Sequence, residues 1–203
     1  PGTASYTVSG SNRTYGTLQF STNAAGAART YTSSCTGPFR INGNLVLDHN
    51  AVFSYGANTN TIIIQGDCTI RTGAIFNISN GANNSLISIK GNLSNEGTIT
   101  ETGSSTNSTL ELNGANIQTV SANGSILQSI QFSINNPSGV ILLTDLILSY
   151  RLQLLQGKIR SQASASVILD DDATCIGGST ESFVETNFIK IGDDDFIFPV
   201  GKG

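Results

Sequence analysis

Five short strings decide how this chain folds. They are IleAsnGlyAsnLeu at Ile41–Leu45, IleGlnGlyAspCys at Ile64–Cys68, IleLysGlyAsnLeu at Ile89–Leu93, LeuAsnGlyAlaAsn at Leu112–Asn116, and PheSerIleAsnAsn at Phe132–Asn136, where Asn136 takes the glycine place. Gly43, Gly66, Gly91 and Gly114 are spaced by 23, 25 and 23 residues. Two residues before each glycine place stand Ile41, Ile64, Ile89, Leu112 and Ile134; four before stand Phe39, Ile62, Ile87, Leu110 and Phe132. All ten are large and apolar, and the residues between them are mostly polar, which is the period-2 signature of a strand with one buried face. A unit of this length cannot bury its apolar face alone, so the units must stack.

The fold class that follows is all-β: a parallel β-helix, or β-solenoid, with about 21–25 residues per coil and six to eight coils. Equivalent residues then lie about 4.8 Å apart along the stack, and the crossover rule makes the coil right-handed. A β-sandwich, with strands every 8–12 residues, would not need the same apolar slots to recur five times. In this reading a left-handed backbone explains the glycine place, with Asn136 tolerated there. Turn-rich strings fill the intervals, among them 56–60, 80–84 and 103–107.

Composition agrees. Of 203 residues only 12% are charged, against about 25% in an ordinary globular protein. Asn, Ser and Thr together make about a third of the chain, which disfavours helices. With 38% hydrophobic residues there is enough apolar side chain for a core. No apolar run approaches the roughly 18 residues of a spanning helix. The net charge of −4 and the scattered ten Lys and Arg give no footprint for nucleic acid. No secretory signal opens the chain, whose first residues are polar, and the absence of Met reads as an excised or processed piece of a larger precursor.

The chain divides into residues 1–38, irregular coils or a cap; 39–160, the solenoid repeats; and 161–203, a final coil with transition strands leading to a following module. Near Gly157 the offset slips, so that Gln153 falls in a core slot, and from Ser161 onward the register is lost.

Cys35, Cys68 and Cys175 form no CxxC pair and the single His49 is remote from them, which argues against zinc. One disulfide with a free thiol, or three free thiols, both stay open; Cys68 sits in the core slot of Leu45 and Leu93. Six Asn-x-Ser/Thr sequons, at Asn12, Asn77, Asn83, Asn92, Asn107 and Asn123, are about as many as composition alone yields.

The succession NGNLVLD, IKGNLSNEGTIT, LELNGANIQTVS, SINNPSGVILLTDLIL and the closing FIKIGDDDFIFPVGKG resembles the β-solenoid stretches of large surface proteins of gliding bacteria that use type IX secretion. The resemblance runs from about Tyr6 to Gly203. It implies an extracellular, cell-surface, adhesin-like or stalk role, with neighbouring modules of the same chain and surface glycans as partners. It offers no catalytic residues, and the sorting domain of that family is not in this sequence.

Parallel β-helices also carry polysaccharide lyases and hydrolases, so an enzyme is the alternative. A hydrolase needs carboxylates facing each other across a groove, and the adjacent residues Asp170, Asp171 and Asp172 alternate in direction. Lyase chemistry would pair Ca²⁺ with an Arg or Lys base, and neither Arg40 nor Arg71 has an acid in register one coil away. His49 beside Asp48 suggests a dyad, but the repeat places no nucleophile there. The metal candidates are Asp170, Asp171, Asp172, Asp193, Asp194 and Asp195, as oxygen ligands for Ca²⁺, although neither triplet has the DxDxDG spacing. Thr98 and Thr100 form a lone TxT pair of the ice-binding kind. The expectation is a structural or adhesive module with no cofactor.

Overall fold

The computed structural model describes residues 4–11, 13–22, 26–33, 35, 37–56, 61–104 and 107–202. The sequon at Asn12, the turn residues 57–60 and 105–106, and the opening residues 1–3 lie outside them. Among the described residues there is no helix, and the strands build a β-solenoid of about eight turns. Every strand-to-strand ladder is parallel.

Each coil contributes one short strand to each of three sheets. The first sheet stacks Ala4–Thr7, Arg29–Ser33, Ala51–Tyr55, Ile75–Asn77, Thr98–Thr100 and Ser125–Ile126. The second, of eight strands, runs from Thr14–Tyr15 through Phe39–Ile41, Thr61–Ile64, Leu86–Ile89, Thr109–Leu112, Gln131–Asn135 and Arg151–Gln156 to Thr174–Gly177. The third runs from Leu18–Phe20 to Ile159–Ser161, and a three-stranded sheet of Leu146–Leu148, Ser166–Leu169 and Asn187–Lys190 serves the last coils.

The ten apolar residues flanking the glycine places are all 0% exposed. Phe39, Ile62, Ile87, Leu110 and Phe132 are consecutive register partners in the second sheet, as are Ile41, Ile64, Ile89, Leu112 and Ile134. From the third sheet, Leu45, Cys68, Leu93, Val120 and Leu142 close the interior in the same way. From the first sheet Phe53 and Phe76 stack ring on ring, with centroids 5.5 Å apart, and Phe20 of the third sheet stacks on Phe53 at 4.4 Å. A coil is not of fixed length: Phe132 and Leu152 are paired 20 residues apart, whereas Thr14 and Arg40 are 26 apart.

Three details differ from the sequence reading. First, Gly43, Gly66, Gly91 and Gly114 do not have a positive φ, and neither does Asn136. Close approach is what requires the glycine: a Cβ on Gly91 would stand 2.5 Å from the Gly66 carbonyl below, and one on Gly66 2.8 Å from that of Gly43. Asn136 fills the place differently, with its side chain buried and bonded to Asn116 O and Gln118 Oε1.

Second, Gln153 is not in a core slot. Leu152 and Leu154 hold the slots opposite Phe132 and Ile134, and the register then jumps from Ile134–Leu154 to Asn135–Gln156. Leu155 is the extra residue of this β-bulge, and it points out, 46% exposed. The bulge absorbs the one-residue slip that counting back from Gly157 produces.

Third, register continues beyond Ser161: Val167–Leu169 pair with Leu146–Leu148, and Thr174–Gly177 with Arg151–Leu154. The sequence conceals this because Ser182 rather than a glycine meets Gly157, donating to its carbonyl at 3.2 Å. The chain also lengthens after Leu112, where Gln118 substitutes for the missing backbone ladder. Its buried amide donates to the carbonyls of Ile89 and Gly91 and accepts from Gly114 N–H.

Candidate functional site

The two acidic triplets, 21 or more residues apart in sequence, are brought onto one edge of the solenoid. Leu169 and Lys190 are register partners, and Ile191 N–H donates to the Leu169 carbonyl at 2.9 Å, so the turn after one strand stacks on the turn after the other. Asp171, Asp172 and Asp194 then offer carboxylate oxygens within 4.8 Å of one another, all exposed. Asp172 N–H donates to Asp194 Oδ2 at 3.3 Å. Asp170 is turned aside, accepting from Ser149 Oγ at 2.9 Å, and Asp193 and Asp195 are exposed outside the group of three.

Lys190 is the residue the sequence reading did not single out. Its side chain is 5% exposed, and its Nζ reaches Asp194 Oδ2 at 3.0 Å and the carbonyls of Asp170 and Ile191 at 3.2 and 2.6 Å. The Lys190 hydrogen bond and its charge hold the Asp194 carboxyl below its ordinary value. The four-residue spacing from Lys190 to Asp194 was the available signal. Chemically, the group can bind a hard cation through Asp171, Asp172 and Asp194, with one negative charge already neutralised by the ammonium. Its carboxylates belong to consecutive turns of one edge and do not face each other across a cleft, the arrangement that a glycosidase requires.

Asp48 overturns one expectation. Arg71 does have an acid one coil away: its Nη1 lies 2.7 Å from Asp48 Oδ1, because Leu47 and Ile70 are register partners. Asp48 also accepts from Gln19 Nε2 at 2.5 Å and Ser21 Oγ at 2.8 Å. Its neighbour His49 bonds through Nδ1 to the Thr72 carbonyl at 3.0 Å. The pair thus ties coils together, with each partner committed to an adjacent coil. Thr98 stands between Ile75 and Ser125, and Thr100 beside Asn77, so the TxT pair is not extended to the neighbouring coils.

All three cysteines are free. Cys68 is fully buried, and burial pushes its thiol up to about 12; burial does the same for Cys175. At the C-terminal end, Gly177–Thr180, Phe183 and 199–202 line a shallow depression of about 580 Å³. Among the described residues no helix is long and apolar enough to cross a membrane. No protein family matches the chain, and neither does any curated protein or solved structure.

Proposed function

We propose that this chain is a non-catalytic, extracellular structural module of a larger cell-surface protein of the gliding-bacterium kind, a stiff spacer that presents neighbouring modules and touches surface glycans. One observation carries the reading: the same apolar slots stay filled from Phe39 to Leu154 through six consecutive strands of one sheet. Residues that an enzyme would commit to a cleft are committed here to holding coil on coil, as Asp48, Arg71 and Gln118 illustrate. A rod of in-register coils resists bending because each contact is repeated along its length.

The experiment has two arms. Purified protein is assayed for turnover of pectins, alginates and related polysaccharides, and binding to the same panel is measured separately. The module reading expects no turnover, and glycan binding unchanged when Asp171→Asn and Asp194→Asn are introduced together. Turnover that those substitutions abolish would overturn it in favour of a polysaccharide-active β-helix enzyme. Surface labelling of intact producing cells tests the location, and a signal confined to lysed cells refutes it.

A further inference from the structure

We infer that Asn80 is the site of spontaneous deamidation in the folded protein, and that hydrogen bonds on the attacking nitrogen shield the other Asn-Gly steps. In this reaction the backbone nitrogen of the following residue attacks the Asn Cγ, closing a succinimide and expelling ammonia. Water then opens the ring at either carbonyl, leaving Asp or isoaspartate. One water is consumed, one ammonia leaves, and no oxidant or reductant is involved. Glycine in the following position leaves the attacking nitrogen sterically open.

The chain has four such steps: Asn42-Gly43, Asn80-Gly81, Asn113-Gly114 and Asn123-Gly124. In three of them the attacking nitrogen is occupied. Gly43 N–H donates to the Gly16 carbonyl at 3.0 Å, Gly114 N–H to Gln118 Oε1 at 2.8 Å, and Gly124 N–H to the Asn95 carbonyl at 2.8 Å. The Asn113 side chain is further pinned at both ends, donating to Glu111 Oε1 at 2.6 Å and accepting from Ser88 Oγ at 2.9 Å.

Asn80-Gly81 differs at the attacking nitrogen. It lies in the bends between the strands Ile75–Asn77 and Leu86–Ile89, and Asn80 is exposed. Among the described residues nothing accepts a hydrogen bond from Gly81 N–H. One contact restrains the side chain, from Nδ2 to Ser54 Oγ at 2.9 Å.

The product state reaches three coils. Asn80 N–H donates to the Tyr55 carbonyl below, while the Gly81 carbonyl accepts from Ser104 N–H above. Isoaspartate lengthens the main chain between these two bonds, so the coil cannot keep both in their present geometry. Asparagine at this corner therefore acts as an ageing point that loosens the stack around Ser54.

The test ages the native protein in mildly alkaline buffer and follows each Asn by peptide mass mapping, beside a sample unfolded in urea. In the native sample Asn80 is expected to convert at least about tenfold faster than Asn42, Asn113 or Asn123, the factor that ~1.4 kcal/mol of local opening confers. In urea the four are expected to converge to within a few-fold, and Gly81→Ala to slow Asn80 alone. Comparable native rates at all four, or a native Asn80 as inert as the rest, would refute the inference.

Discussion

The side-chain oxygen Oδ1 of Asn44 accepts a hydrogen bond from the backbone N–H of Asp67, one coil further on, at 2.9 Å. The relationship repeats. Asp67 Oδ1 accepts from Asn92 N–H at 2.7 Å, and Asn92 Oδ1 accepts from Thr119 N–H at 2.8 Å. Thr17 Oγ1 begins the column by accepting from Asn44 N–H at 3.4 Å. At the corner between the second and third sheets, each coil thus supplies the acceptor that the next coil's main chain needs. Asn is suited to this because it is short, accepts without charge, and can donate back, as Asn92 Nδ2 does to Asp67.

Asn92→Ala should therefore cost about 1 kcal/mol, the worth of an inter-coil bond at an exposed corner. Asn92→Asp keeps the acceptor but sets a second carboxylate next to Asp67, so it should also destabilise, and added salt should relieve that loss. Combining it with Asp67→Asn should restore the parent's stability. Urea unfolding of the three variants at low and high salt checks this, and additive losses in the double variant would contradict it.

Gly91 sits where a Cβ would meet the Gly66 carbonyl at 2.5 Å. Main chain cannot yield there without breaking the ladder, so Gly91→Ala should destabilise by about 1–3 kcal/mol. At roughly 2–4 °C per kcal/mol for a chain of this size, thermal unfolding resolves the change easily. Gly16 occupies the same corner, one coil before Gly43, and has nothing within 4 Å of its would-be Cβ. Gly16→Ala should be neutral or stabilise by up to about 1 kcal/mol. Equal effects at the two glycines would show that chain stiffness rather than close approach governs the corner.

The contrast also marks what the sequence could disclose. Period-2 apolar slots were legible because burial acts on each residue separately, and all ten slots between Phe39 and Ile134 are buried. The reason for the glycines was not legible, since a close approach depends on a neighbour 23 or 25 residues away. Cross-coil partners escaped for the same reason. Arg71 meets Asp48 only because the strands before them align at Leu47 and Ile70. The acidic triplets stood out individually, but that Asp171, Asp172 and Asp194 share a corner while Asp170 turns to Ser149 depends on stacking of their turns. Register after Ser161 was hidden because polar Ser182 took the place a glycine had marked. Low charge now has a structural reading too: the Arg71–Asp48 and Arg160–Glu185 ion pairs each place opposite charges on adjacent coils.

Asp48 predicts how stability responds to acid. Burial alone would raise its carboxyl, but the hydrogen bonds from Gln19 and Ser21 and the charges of Arg71 and His49 outweigh that and hold it below its ordinary 3.8. A folded value below the unfolded one means the contribution is complete above about pH 5 and disappears as pH falls through the folded value. Asp48→Asn should cost roughly 1–2 kcal/mol at neutral pH, discounted because Arg71 is partly solvated. As the pH falls through that folded value, variant and parent should converge. Denaturant unfolding across this range checks the sign; a gap that widens in acid would refute it.

Cys68 gives the sharpest test of the core. It stands in register between Leu45 and Leu93, fully buried, and its thiol is pushed up to about 12. A thiol reacts as thiolate, so at neutral pH Cys68 should resist alkylation on the timescale of local opening and become modified only when the coil unfolds. Cys35 is equally buried, whereas Cys175, at the far end of the second sheet, is partly exposed and should be labelled first. If the slot asks only for a small apolar side chain, Cys68→Val should change stability by less than about 1.5 kcal/mol. Cys68→Asp, by contrast, buries a charge with no partner and should abolish the native fold. Mass spectrometry of alkylated native protein and thermal unfolding of the two variants decide the matter: rapid native labelling of Cys68, or a tolerated Asp, would mean that this column is not the closed interior the register defines.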